Sequence, residues 1–139
     1  MCGLIKTGSV GFNPNSRSNQ TIFAEFMWIA SKHGFYSIVQ KQSCMEGNRC
    51  AFHIRARIRK DLENLLRGLS FKREIVEWPD ADYRYRFLAS RGDLVEIMCF
   101  LSEELDYSNF KSMIGQTLDQ RDKLSAYHDI WKRMSLLQK

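Results

Sequence analysis

The chain has 139 residues, the size of one ordinary domain, and its hydrophobic (44%) and charged (27%) fractions are normal for a globular protein. The formal net charge of +5 is compatible with nucleic acid or another anionic partner. No apolar run approaches the roughly 20 residues that a membrane-spanning helix needs, and no secretory signal pattern is present. These features exclude a transmembrane protein and predict a cytoplasmic one with no membrane partner.

The composition changes along the chain. Residues 1–26 are rich in glycine, asparagine and serine, which is typical of loosely ordered chain. We therefore predict an N-terminal tail over 1–26 and a single domain over 27–139.

The four cysteines do not have the spacing of a metal site. Cys44 and Cys50 are further apart than the cysteines of a zinc-binding pair, and neither Cys2 nor Cys99 forms a second pair. We predict no metal, no cofactor and reduced thiols, with Cys99 in the core of a helical segment.

The first two predicted strands form a hairpin. Phe35 to Lys41 is rich in strand-forming residues and is predicted to be the first strand, with an earlier start near Met27 as the alternative. Residues 45–48 supply turn chemistry, and residues 49–59 form the second strand.

A helix and two further strands follow. Leucines at i, i+3, i+4 and i+7 predict a helix over 61–69, with Gly68 near its end as the terminator. Residues 74–78 form the third strand, which Pro79 stops, and residues 82–89 form the fourth.

The remaining chain is helical. Ser90 and Asp93 have the spacing of a capping box, and the helix that they open is predicted to bury an apolar stripe: Leu94, Ile97, Met98, Leu101 and Leu105. Asp106 or Ser108 is predicted to cap a short helical turn. Thr117 and Gln120 resemble a second capping box before a last helix that ends at about Leu137.

The order of these elements is β-β-α-β-β-α followed by a C-terminal helix. It predicts a two-layer α+β fold in which helices cover one face of a four-stranded antiparallel sheet. This arrangement is a ferredoxin-like motif whose last strand has moved to the front.

Alternation in the second strand separates an apolar face from a cationic one. Phe52, Ile54 and Ala56 point to one side, and the basic residues point to the other. In the fourth strand, Tyr83 and Tyr85 are predicted to face the core, so the cationic face lacks a clear stacking platform. The predicted ligand-binding residues on this face are Tyr36, His53, Arg55, Arg57, Arg59, Arg84 and Arg86.

Three functions are compatible with this face. The first is a non-catalytic binding module for a polyanion, with nucleic acid ahead of small phosphate ligands. The second is a protein-binding regulator that dimerises through the last helix, where Trp131 and Met134 lie on one side. The third is an enzyme that acts on a nucleotide or a phosphodiester, with His53 as base and Arg55 as electrostatic stabiliser. No catalytic motif is recognised, so we assign no catalytic residue.

An alternative interpretation gives the arginines no ligand. In that case they solvate the sheet face, form ion pairs with neighbouring acids, or lie beneath the C-terminal helix.

Several segments between Met27 and Gln138 together resemble a family of small bacterial proteins of unassigned function. The resemblance implies a bacterial or mobile-element setting and one compact domain, and it implies no activity. The segments are Met27-Trp28, residues 34–40, 55–57, 80–86, 106–111 and 127–131.

Overall fold

The computed structural model describes residues 26–40 and 51–139. The predicted tail, apart from Phe26, lies outside the described residues, as do the turn at 45–48 and the cysteines at positions 2, 44 and 50. The described elements are β1 (Met27–Ser31), β2 (Gly34–Gln40), β3 (Ala51–Ala56), α1 (Arg59–Leu69), β4 (Val76–Glu77), β5 (Tyr85–Ser90), α2 (Arg91–Glu103), α3 (Phe110–Gln116), a 3-10 turn (Arg121–Lys123) and α4 (Leu124–Ser135).

The fold is α+β, but the sheet has five strands where four were predicted. The strands lie in the order β1-β2-β3-β5-β4, and every neighbouring pair is antiparallel. The additional strand arises because Ser31 pairs with Gly34, which leaves Lys32 and His33 as a two-residue turn. Neither turn residue is a glycine, asparagine or aspartate, so the usual sequence signal of a tight hairpin is missing.

Helices α1 and α2 cover one face of the sheet and form the core with it. As predicted, Phe52, Ile54 and Ala56 of β3 point into this core. The fully buried leucines of α1, Leu62 and Leu65, pack against them. Successive side chains of a strand alternate between the two faces of the sheet. The residues next to these core positions therefore point to the face that the helices leave uncovered.

Gly68 has a packing role inside α1 and is not its terminator. The helix continues to Leu69, and Ser70 takes the left-handed conformation (φ 56°) that ends it. A Cβ atom at position 68 would collide with the ring of Phe100 from α2. The glycine therefore allows the two helices to approach each other closely.

The predicted capping box at the start of α2 is confirmed. Ser90 Oγ accepts from the Asp93 backbone N–H at 3.0 Å, and the Asp93 carboxylate accepts from the Ser90 N–H at 2.9 Å. The predicted stripe is only partly buried: Ile97 and Leu101 are buried, whereas Met98 is exposed and Leu105 follows the end of the helix. The prediction that Cys99 lies in the core is wrong, because its position on α2 faces solvent.

The second predicted capping box is wrong. Thr117 follows the end of α3 and donates its hydroxyl to the Met113 carbonyl at 2.8 Å. Asn109, and neither Asp106 nor Ser108, caps the start of α3 by accepting from the Ser112 N–H.

Asp61 joins the sheet to the C-terminal part of the chain. Its carboxylate is 1% exposed and accepts from the Phe35 backbone N–H at 3.0 Å, Gln120 Nε2 at 3.1 Å and Lys123 Nζ at 2.8 Å. The Tyr36 hydroxyl donates to the Asp61 carbonyl at 2.9 Å. This network, which we call the Asp61 network, connects β2, α1 and the 3-10 turn that precedes α4.

Candidate functional site

The sheet face that α1 and α2 leave uncovered, here called the open face, contains the predicted basic residues of β3 and β5. Strand register places one residue from each strand in a row across this face. In order from β1 to β4, the row consists of Trp28, Ser37, Arg55, Arg86 and Val76.

Arg55 and Arg86 lie directly opposite each other in this row. The tight β1–β2 hairpin makes Ser31 and Gly34 a hydrogen-bonded pair, and alternation across the sheet then makes Arg55 and Arg86 a non-hydrogen-bonded pair. Cα atoms in such a pair are about 4.5 Å apart, and like charges in this position are destabilising. The sheet therefore holds two positive charges together against their repulsion.

Neither guanidinium forms an ion pair with a carboxylate among the described residues, although the charge of Asp82 in the same cleft attracts Arg55. Arg55 Nη2 donates to Ser37 Oγ at 2.7 Å, and Arg86 Nη2 donates to the Tyr83 carbonyl at 2.7 Å. The Nε atoms of both arginines are buried and have no acceptor within the described part of the chain. Arg86 is only 4% exposed. Each side chain thus retains an unused donor.

The electrostatic environment of both arginines is unfavourable to positive charge. Burial lowers the pKa of Arg55, and burial together with the charge of Arg55 lowers the pKa of Arg86. Arginine nevertheless remains protonated in proteins. A bound anion would remove this penalty.

Tyr83 lies against the arginines, which corrects the prediction that it faces the core. The guanidinium carbons of Arg55 and Arg57 lie 4.7 and 4.2 Å from the centre of its ring. The strand begins only at Tyr85, so alternation does not extend back to Tyr83, which belongs to the loop between β4 and β5. Tyr85 packs against the core as predicted.

Trp78 covers the second arginine of the pair. Its ring centre is 3.8 Å from the guanidinium carbon of Arg86 and 6.3 Å from the ring of His53. His53 is buried on the open face, where register pairs it with Leu88. The loop from Trp78 to Arg84 thus shields the arginine pair on one side.

A cleft of about 340 Å³ opens beside the arginine pair. Three of its aromatic side chains are substantially exposed: Trp28 by 55%, Phe26 by 52% and Trp78 by 45%. The open face therefore has exposed aromatic rings next to two arginines that form no ion pair among the described residues. The cleft is lined by Phe26, Trp28, Arg55, Trp78, Ala81, Asp82, Tyr83 and Arg86.

Arg57 lies beyond the end of β3 and belongs to the edge of this site. It is exposed and pairs with Asp82 at 3.1 Å. Burial lowers its pKa, but the hydrogen bond to Asp82 and the attraction of Tyr83 outweigh that effect, and the pKa of Arg57 is raised. We call Arg55, Arg57 and Arg86 the arginine cluster.

Of the seven predicted residues, Arg55 and Arg86 line the cleft, and the other five do not. His53 and Arg57 contact its Trp78 and Tyr83 rings, and the remaining three lie elsewhere. Arg59 starts α1 and pairs with Glu63 at 3.1 Å, and Arg84 pairs with Glu77 at 2.7 Å, in both cases as exposed ion pairs. Tyr36 is fully buried on the helix-covered side.

The C-terminal helix does not cover the arginine pair. Its Tyr127 packs on Phe35 at one end of the open face, with ring centres 6.3 Å apart. An apolar groove of about 560 Å³ separates α3 and α4 from β1 and β2, and Trp28 lines both this groove and the cleft.

Sequence reasoning did not identify Phe26, Trp28 and Trp78 as parts of the site. Their positions depend on the unpredicted hairpin and on a loop that folds back over the sheet. The only available signal was their type, since exposed tryptophans are enriched at binding surfaces.

Within residues 26–40 and 51–139, no helix has the length and apolar character needed to cross a bilayer. The same ranges contain no group of three or more histidine, cysteine or acidic side chains placed to hold a metal ion.

Comparison with known proteins adds no relative. No protein-family model matches the chain, and neither a curated protein nor a solved structure matches it.

Proposed function

We propose that this protein is a non-catalytic binding module for single-stranded nucleic acid, which it contacts through the open face. The observation that supports the proposal is the pair of Arg55 and Arg86, which form no ion pair among the described residues and lie beside exposed aromatic rings on the same face. Sheets that bind single strands combine these two features.

The two kinds of side chain have different roles in this proposal. Guanidinium groups donate paired hydrogen bonds to phosphate oxygens and supply most of the sequence-independent affinity. Trp28 and Trp78 offer flat rings on which unpaired bases stack. Because bases in a duplex are already stacked, we expect single strands to bind more tightly than double strands.

Binding is expected to weaken steeply with salt. If the arginine cluster neutralises three phosphates, the slope of log K against log salt is about −2, since each phosphate contributes roughly −0.7 on single strands. Fluorescence anisotropy with a labelled single-stranded oligonucleotide at several salt concentrations measures this slope. Replacing both Arg55 and Arg57 by alanine is expected to weaken binding at least about tenfold and to flatten the slope.

The matched control replaces Arg59 and Arg84 by alanine. This variant loses the same formal charge, but neither Arg59 nor Arg84 lines the cleft, and both form exposed ion pairs, whereas Arg55 lines the cleft and Arg57 lies against its Tyr83 ring. We expect it to bind nearly as the natural chain does. Equal losses in the two double variants would contradict a defined site, and absence of binding to single-stranded RNA and DNA at low salt would contradict the function itself.

The apolar groove supports a second candidate function, which is homodimerisation through α4. Trp131 and Met134 line this groove and are exposed, and Lys111 Nζ lies 4.4 Å from the centre of the Trp131 ring. A twofold dimer buries the same patch on both copies, so a single apolar surface is sufficient.

Dimerisation is expected to depend on Trp131. Sedimentation equilibrium over a range of protein concentrations should give a dimer whose dissociation constant rises by roughly 30-fold in Trp131→Ala, since interface tryptophans commonly contribute about 2 kcal/mol or more. Lys132→Ala, on the same helix but outside the groove, is the control. A natural chain that stays monomeric at every concentration would exclude this candidate.

We also propose that β2, β3, β4 and β5 with α1 and α2 form a permuted ferredoxin-like unit. Each of the two helices follows a pair of strands, and β3 and β5 lie side by side in the sheet. In this description β1 is an added edge strand.

A further inference from the structure

We propose that the cleft beside Arg55 and Arg86 is a pocket for one nucleotide unit, with its phosphate on the two guanidinium groups and its base on the exposed tryptophan rings. This inference rests on the proposed function and deepens it. An extended surface spreads its phosphate and base contacts over several nucleotides, whereas a pocket binds the phosphate and the base of a single unit.

The arginine pair has the features of a phosphate site. Both Nε atoms are buried donors without an acceptor among the described residues, and the two side chains belong to opposed residues of adjacent strands. A terminal phosphate has three strong acceptor oxygens, which is enough to accept from both guanidinium groups at once. Its negative charge also offsets the repulsion between Arg55 and Arg86.

The site is built before any ligand arrives. Arg86 is held between the Trp78 ring and the Tyr83 carbonyl, and Arg55 is held by Ser37 and the Tyr83 ring. These contacts fix both guanidinium groups, so binding does not have to order two flexible side chains.

The remainder of the cleft suits a nucleobase. Its volume of about 340 Å³ is at the lower end of the range for small-molecule sites, so it fits one nucleotide and excludes a duplex. Trp28 and Phe26 form an exposed aromatic wall, with ring centres 5.4 Å apart. The Asp82 carboxylate also lines the cleft and is paired with Arg57. The carboxylate of Asp82 repels a phosphate but can accept a hydrogen bond from a base. It therefore favours an orientation in which the phosphate lies at Arg86 and the base lies away from Arg86.

The contributions of phosphate and base to binding are separated by comparing the affinities for adenosine monophosphate, ribose 5-phosphate and adenosine. Tryptophan fluorescence in phosphate-free buffer is the readout, with Trp131→Phe as the background because this substitution removes the one tryptophan that does not line the cleft. We expect adenosine monophosphate to quench the fluorescence and to bind at least about tenfold more tightly than either fragment.

Two variants test the two halves of the pocket. In the same background, Arg55→Gln is expected to weaken the binding of adenosine monophosphate at least about tenfold and to leave the affinity for adenosine unchanged. Trp28→Ala, at an exposed position, is expected to weaken the binding of adenosine and to leave the affinity for ribose 5-phosphate unchanged. Arg59→Gln is the control and should alter none of the three affinities.

The outcomes distinguish the pocket from the wider function. If the chain binds an oligonucleotide but adenosine monophosphate binds no better than ribose 5-phosphate, the proposal of a nucleotide pocket is wrong and the proposed function stands. If adenosine monophosphate binds as expected while oligonucleotides do not, the pocket is supported and the proposed function is wrong. Loss of all binding in Arg59→Gln would overturn the placement of the site.

Discussion

Replacing Asp61 by alanine is expected to lower the free energy of unfolding by about 3–5 kcal/mol, the range for removing one partner of a buried ion pair. The substitution removes the carboxylate that accepts from Lys123, Gln120 and the Phe35 N–H. Gln120 retains the His33 carbonyl and Lys123 retains Gln120 Oε1, whereas the Phe35 N–H loses its acceptor and the charge of Lys123 loses its partner. An orphaned buried donor costs more than the net value of the hydrogen bond that it made. The loss should be accompanied by loosening of the 3-10 turn and α4.

Urea denaturation followed by circular dichroism measures this effect. Glu63→Ala is the control, because Glu63 is an exposed carboxylate of the same helix whose ion pair with Arg59 is worth about 0.3–0.5 kcal/mol. Asp61→Asn retains one acceptor oxygen and should fall between the two variants. A loss below about 1 kcal/mol for Asp61→Ala would mean that water replaces the carboxylate and that the Asp61 network does not hold α4 in place.

Gly34→Ala is expected to cost about 2–3 kcal/mol, a typical value for overpacking a core position. A Cβ atom there would lie 2.5 Å from Asp61 Cβ, 2.7 Å from Asp61 Cγ and 2.8 Å from the Tyr36 hydroxyl. Both neighbours are fully buried and hydrogen-bonded, so neither can move away without breaking the Asp61 network.

The control for Gly34→Ala is Gly92→Ala in the first turn of α2. An added Cβ there meets only Ser90 Oγ at 3.7 Å, which is ordinary contact. Alanine is also the better helix former by up to about 1 kcal/mol, so this variant should be neutral or more stable. Thermal unfolding of the two variants side by side makes the comparison. Equal melting temperatures would show that β2 and α1 can separate to admit a methyl group.

Local patterns in the sequence predicted the features that depend on neighbouring residues. The alternation of β3 placed Ile54 in the core and Arg55 on the opposite face, and Ser90 with Asp93 marked the start of α2. Such features require no knowledge of distant segments, because strand alternation and helix capping act over two or three residues.

The features that the sequence did not reveal depend on contacts between distant segments. Gln120 has the spacing of a helix cap but donates to Asp61, 59 residues away. Tyr83 has the spacing of a core strand residue but lies in a loop, with its ring against Arg55 and Arg57. The cleft combines residues from β1, β3, the loop after β4, and β5, so no local pattern could indicate it.

The opposed arginines have a consequence for the folded state itself. Their repulsion is present only when the sheet is formed, so the folded form is penalised in the absence of an anion and the unfolded form is not. Any anion that binds between them stabilises the folded chain by mass action, in proportion to the logarithm of its concentration. If a nucleotide fills the site, the amount of folded protein is linked to the supply of its own ligand.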